Sequence, residues 1–118
     1  MQYMLLLFND PKGFEALPPS AVSEALAAYG AYTEALQKAG ALVSSVRLRS
    51  AGTASTVRLN SGKTEVLDGP FIETREELGG YFLIDAADLD SALAWAARCP
   101  GASHGSIEVR PVWPREDY

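Results

Sequence analysis

Residues 66 to 82, VLDGPFIETREELGGYF, bring several side chains that could perform acid–base chemistry together in one short stretch. Five ionisable residues lie here beside three glycines and one proline. A carboxylate in such a loop can act as a general base or bind a ligand. We therefore take Asp68 and Glu73 as candidate catalytic residues and Glu76 as a candidate ligand-binding residue. Asp68 has an alternative role: it precedes Gly69-Pro70 and could cap its own loop through the N–H of Phe71.

The next part of the same loop has a structural explanation. Thr74-Arg75-Glu76-Glu77 matches the T-x-x-E capping box, which predicts a short helical turn that ends at Gly79-Gly80. In that case Thr74 and Glu77 bind backbone N–H groups and have no chemical role. Glu73 and Glu76 are left without a structural explanation.

His104, the single histidine, is a third candidate catalytic residue because its unperturbed pKa lies near neutrality. It lies in the segment PGASHGS, where a lone histidine is more often solvated than catalytic. No His-x-x-His or Glu-x-x-His spacing, phosphate-binding loop or dinucleotide-binding glycine motif is found, so we predict neither a metal site nor a cofactor. Cys99 follows a predicted helix, where the helix dipole disfavours a thiolate.

Composition excludes several classes of protein. The chain has 118 residues, enough for one domain, and we assign residues 1–118 to it. A net charge of -5 without a basic stripe argues against nucleic-acid binding. A single cysteine fits a reducing compartment, and neither a signal peptide nor a membrane span is evident. We expect a cytoplasmic protein without a membrane or nucleic-acid partner.

The order of elements predicts the fold class. An apolar run at 3–8 indicates a central strand, and Gly40 is placed to end the helix that follows. STVRLNSGKTEVL predicts a hairpin that turns at Asn60-Ser61-Gly62, and GYFLID and SIEVRPVW are two further strands around a second helix. The order is β-α-β-hairpin-β-α-β. We predict an α+β, ferredoxin-like sandwich with an inserted hairpin.

Strand alternation places charged residues on one face of the predicted sheet. Arg47, Arg49, Glu108 and Arg110 fall in the phase opposite the apolar residues of their strands. Because the first strand is apolar in both phases, an uncovered second face would expose much apolar surface. We therefore expect a homodimer of the α+β-barrel kind, with these four residues and Tyr81 around a cavity between the two sheets. Arg47 and Glu108 are expected on the same face.

Two stretches carry a family resemblance. DGPFIETREELGGYFLIDAADLDSALAWAARCPG followed by GSIEVRPV resembles the DGPF-containing branch of the YCII-related family, and MQYMLLLFND and AGTASTVRL are similar to the same pattern. The resemblance implies a dimeric ferredoxin-like barrel. Some members of the wider family resemble small lyases or isomerases, and a His/Asp acid–base pair is associated with part of it. The first helix contains no histidine here, so that pair has no counterpart. The branch also resembles proteins encoded near extracytoplasmic sigma factors, which implies a regulatory role.

Two functional hypotheses follow. The first is a dimeric binding or regulatory protein whose cavity recognises a small anionic metabolite through the arginines, and this is the one we favour. The alternative is a cofactor-free lyase or isomerase. In it, Asp68 or Glu73 would act as the base, and Arg47 or Arg110 would stabilise an enolate-like anion.

Overall fold

The computed structural model describes residues 1–118 and contains six strands and three helices. The elements are β1 (Gln2–Asn9), α1 (Pro11–Glu15), α2 (Pro19–Lys38), β2 (Leu42–Arg47), β3 (Ser55–Asn60), β4 (Lys63–Asp68), β5 (Glu77–Asp85), α3 (Leu89–Arg98) and β6 (Ser106–Pro111). Short 3-10 turns lie at Ala51–Thr53, Pro100–Ser103 and Arg115–Asp117. None of the three helices combines the length and the apolar composition of a membrane span.

Four strands form one antiparallel sheet in the order β2-β5-β1-β6, while β3 and β4 pair only with each other. This is the strand order of a ferredoxin-like sandwich with a hairpin inserted between its second and third strands. The predicted α+β fold is confirmed, and β1 lies at the centre of the sheet as expected. The short helix α1 was not predicted.

The core lies between one face of the sheet and helices α2 and α3. Side chains of β1 alternate between the two faces of the sheet, and Tyr3 and Leu5 lie on the core face. There they pack with Phe82 and Ile84 of β5. The helices add Tyr32, Leu36, Ala92 and Ala96 to this cluster. Tyr32 packs edge-on against Phe82, with 5.2 Å between ring centroids, and its hydroxyl donates to the carbonyl of Trp95 at 2.7 Å.

Two glycines are placed as the sequence predicted. Gly40 has a φ of 69° just after α2, and the next N–H, of Ala41, donates to the carbonyl of Leu36 at 2.9 Å. This pattern ends the helix in a Schellman motif. Ser61 and Gly62 both have positive φ and join β3 to β4, as a type I′ hairpin requires.

The predicted helical turn at residues 74–80 is wrong. Strand β5 begins at Glu77, which pairs with Asn9 of β1. Gly79 and Gly80 therefore lie inside a strand and do not end a helical turn. The hydroxyl of Thr74 donates to the carbonyl of Glu76, and Glu77 bonds a different segment of the chain. Pairing with β1 satisfies backbone groups that a capping box would have served, and this tertiary pairing overrides the local signal.

A β-bulge in β2 reverses the predicted orientation of Arg47. Leu42 lies opposite Ile84 of the core, but the register shifts before Ser44, so that Arg47 lies opposite Gly80 on the same face. Glu108 lies opposite Leu6 on the other face. The expectation that Arg47 and Glu108 share one face is therefore wrong, because one extra residue in a strand inverts every side chain that follows.

Candidate functional site

A cavity of about 440 Å³ lies on the helix-bearing side of the sheet, between the ends of β1, β2 and β5 and helices α1 and α2. We call it the helix-side cavity. Its apolar wall is formed by Leu7, Phe14, Leu26, Phe82 and Ile107. Its polar groups are Asn9, Glu15, Tyr29, Ser45, Arg47, Arg49, Ser50 and Glu77. A cavity that combines an apolar wall with polar and charged groups can bind a small molecule.

Arg47 reaches this cavity because of the bulge in β2 and the close approach of β2 to β5. Its partner across the sheet is Gly80, where a Cβ atom would lie 2.4 Å from the carbonyl oxygen of Val46. Only glycine permits the two backbones to come this close. Gly80 therefore helps to place Arg47 on the helix-bearing side of the sheet.

The guanidinium of Arg47 lies over the ring of Phe14, with 5.4 Å from Cζ to the ring centroid. This cation–π contact connects β2 to α1 and orients the charge. No carboxylate oxygen lies within 4.0 Å of Arg47, since the ion pairs of the structure are Met1–Asp85, Glu34–Lys38 and Asp10–Arg75. Arg47 is thus a charged group on the cavity wall without an ion-pair partner.

Glu77 is the half-buried carboxylate of the cavity. Its Oε1 accepts a hydrogen bond from the N–H of Ala51 at 3.0 Å, across 26 residues of sequence. Ala51 begins the 3-10 turn that leads into the β3–β4 hairpin. This contact fixes the carboxylate and connects the hairpin to the sheet.

Tyr29 contributes a hydroxyl that stays protonated at neutral pH. Burial, reinforced by the neighbouring Cys99, raises the pKa of Tyr29 to about 12, and the nearby charge of Arg47 acts in the opposite direction. The hydroxyl packs so closely on Gly101 that a Cβ atom there would lie 2.6 Å from it. Burial also raises the pKa of the Cys99 thiol, which argues against a thiolate nucleophile.

The strand residues predicted to form one site lie on two sides of the sheet. Arg47 and Arg49 line the helix-side cavity. Tyr81, Glu108 and Arg110 follow the opposite phase, because Leu6 lies opposite both Tyr81 and Glu108, and Met4 lies opposite Arg110. The sheet face with Met4, Leu6, Tyr81 and Leu83 carries no helix, and we call it the open sheet face.

The loop candidates lie outside the cavity. Asp68, at the end of β4, is exposed and its side chain makes no hydrogen bond; the N–H of Gly69 donates to the carbonyl of Ala54. Glu73 and His104 are exposed as well. Glu76 accepts a hydrogen bond from the Ser106 hydroxyl at 3.0 Å. None of these four residues lines the cavity that contains Arg47.

Sequence reasoning missed Glu77, Phe14 and Tyr29 as residues of one site. The capping-box motif predicts a different role for Glu77, and no local motif marks Tyr29, which lies in α2. Phe14 lies in α1. The pair Asp10-Pro11 is a sequence signal for the start of this helix, because Asp is a common N-cap residue and Pro is common at the first helical position. In the structure, the Asp10 side chain accepts a hydrogen bond from the N–H of Lys12 at 3.0 Å.

Comparison with known proteins confirms the family resemblance. The family model described as the YCII-related domain matches residues 1–116. The chain belongs to the YCII-related family. It is also similar to the "Uncharacterized protein R00369" of Rhizobium meliloti (strain 1021), with 39% identity over 114 residues, which cover 95% of this chain and 92% of that protein. Neither comparison assigns a reaction, so the chemistry of the cavity is the basis for a functional hypothesis.

Proposed function

We propose that this YCII-related protein binds a small anionic metabolite in the helix-side cavity, with Arg47 as the main anion-binding residue. The observation that carries the proposal is the position of Arg47: its charge lies on the wall of the cavity, over Phe14, without a carboxylate partner. Arg47 is exposed to solvent at this wall, so the carboxylate of a ligand can reach its guanidinium and form a charge-assisted hydrogen bond. That carboxylate would be the counterion of Arg47, and Arg49 adds positive charge to the same cavity.

The binding hypothesis agrees better with the geometry than the lyase or isomerase hypothesis. An enolate mechanism needs a carboxylate base that shares a pocket with the arginine. Asp68 and Glu73 do not line the cavity, and Glu77, which does, accepts a hydrogen bond from Ala51. A ligand-controlled regulatory role needs only the cavity. We also propose that the protein is cytoplasmic, because a chain with a single cysteine fits a reducing compartment.

We further propose that the protein is a homodimer that buries the open sheet face. That face presents Met4, Leu6, Tyr81 and Leu83, and both long helices pack on the other side. These four side chains are half-buried in the single chain, and an apolar sheet face without a helix is a surface that a second copy could cover. Sedimentation at micromolar concentration should give twice 12.6 kDa, and a monomer would contradict the proposal.

Calorimetric titration with a panel of small carboxylates tests the binding proposal. The parent should bind at least one carboxylate, and Arg47→Met should weaken that binding by about tenfold or more, as expected for the loss of a charge-assisted hydrogen bond. Arg47→Lys keeps the charge and should retain part of the affinity. Arg110→Met is the control, because Arg110 lies on the other face of the sheet. If Arg110→Met abolishes binding while Arg47→Met leaves it intact, the site lies on the open sheet face and the proposal is wrong.

A further inference from the structure

The helix-side cavity has an apolar part and a charged part. The apolar part is formed by side chains from three neighbouring strands, Leu7, Phe82 and Ile107, and by Leu26 of α2. Arg47 and Arg49, with Ser45 and Ser50, belong to β2 and the segment after it. A ligand that fits both parts needs a compact apolar body and a charged group at one end.

The balance of charge in the cavity limits the charge of the ligand. Two carboxylates, Glu15 and Glu77, line the cavity together with the two arginines. Glu77 is held in place by the N–H of Ala51 at 3.0 Å, so its charge cannot move away from a ligand without the loss of that hydrogen bond. A second negative charge on the ligand would be repelled by these carboxylates, and more strongly by the half-buried Glu77 than by the exposed Glu15, because water weakens the repulsion at an exposed charge.

We infer that the ligand is a monocarboxylate with a compact apolar body, either aromatic or branched aliphatic, and that Glu77 selects against dicarboxylates. This inference rests on the proposed function, because it assumes that Arg47 binds the carboxylate. It adds the class of ligand and a residue that determines specificity. The neutral hydroxyl of Tyr29 adds no charge that would change this balance.

Four small probes separate the parts of this inference in calorimetric titrations. Phenylacetate and isovalerate have one carboxylate and an apolar body, succinate has two carboxylates, and benzyl alcohol has an apolar body without charge. Phenylacetate or isovalerate should bind at least about tenfold more tightly than either succinate or benzyl alcohol, a difference of about 1.4 kcal/mol. Equal or tighter binding of succinate by the parent would overturn the inference.

Glu77→Gln tests the proposed selectivity residue. The glutamine carbonyl can still accept from the N–H of Ala51, so the variant removes the charge and keeps the hydrogen bond. Because the variant removes a negative charge from the cavity, both anions should bind it more tightly than the parent, and the gain for succinate should be several-fold larger than the gain for phenylacetate. Unchanged affinity for succinate, in a variant that melts like the parent, would show that Glu77 does not select against dicarboxylates and would overturn that part of the inference.

Leu26→Trp tests whether the apolar body occupies the cavity. Leu26 is 50% exposed on α2, so a larger side chain can fill the cavity without disturbing the core. Leu93→Trp is the matched control, because Leu93 is 46% exposed on α3 and does not line the cavity. The first variant should weaken phenylacetate binding by about tenfold or more and the second should not. Equal effects of both variants would overturn the placement of the apolar body.

The outcomes also separate this inference from the proposed function. If succinate binds as tightly as phenylacetate and Arg47→Met weakens both, the arginine site stands and the assignment of the ligand class is wrong. If the parent binds none of the carboxylates at millimolar concentration, both the ligand class and the proposed function are wrong.

Discussion

Gly80→Ala tests the close strand approach that places Arg47 in the cavity. A Cβ atom at this position would lie 2.4 Å from the carbonyl oxygen of Val46 and 3.2 Å from the Cα of Arg47. Both are backbone atoms of β2, so they cannot rotate away as a side chain would. The two strands must separate locally, and overpacking of this kind costs about 1–3 kcal/mol. That is a large part of the roughly 5–15 kcal/mol that stabilises a domain.

Gly30→Ala is the matched control for this substitution. Gly30 lies inside α2, is exposed, and would have no atom within 4 Å of an added Cβ. Because glycine is a poor helix former, alanine should stabilise the protein here by about 0.5–1 kcal/mol. Urea unfolding of both variants should therefore shift the midpoint in opposite directions. If Gly80→Ala is as stable as the parent and Gly30→Ala is stabilised, the described approach of β2 to β5 is wrong.

Three further predictions concern single side chains. The pKa of Tyr29 is raised, so the folded state retains the phenol proton and stability should fall as the pH rises from about 10 toward 12; in Tyr29→Phe, urea unfolding should show a smaller fall. Asp88 caps α3 through the N–H of Ser91 at 2.8 Å, and this hydrogen bond lowers its pKa. Asp88→Ala should lower the melting temperature at neutral pH, and this difference should shrink as the pH falls through the lowered pKa, since a protonated Asp88 no longer contributes. Asp68→Ala should change stability by less than about 0.5 kcal/mol in a thermal melt, because the exposed Asp68 side chain caps nothing; a loss near 1 kcal/mol would restore its predicted capping role.

The features that could be read from the sequence are those with a local cause. The run of apolar residues at 3–8 predicted the central strand, because a strand that is covered on both faces has apolar side chains at successive positions. In the structure β1 lies between β5 and β6. Gly40 and the Ser61-Gly62 turn were predictable because the backbone there needs positive φ. The family resemblance to the YCII-related domain, carried by DGPF and EVRPV, agreed with this fold.

The location of the candidate site could not be read from the sequence because it depends on one extra residue in β2. A bulge between Leu42 and Ser44 leaves no clear composition signal, yet it turns Arg47 toward α1 and away from Glu108. The role of Glu77 was equally hidden, since its hydrogen-bond partner, Ala51, lies 26 residues away. Local patterns cannot show a contact that tertiary structure creates.

Chemical-shift mapping of the amide groups with phenylacetate tests the central claim most directly. If the ligand occupies the helix-side cavity, the amides of Asn9, Ser45, Gly80 and Gly101, all of which line it, should shift in a saturable way. The same titration of Arg47→Met should produce much smaller shifts at equal concentration. Shifts confined to Glu108 and Arg110 on the open sheet face, or to the loop after Asp68, would contradict the account.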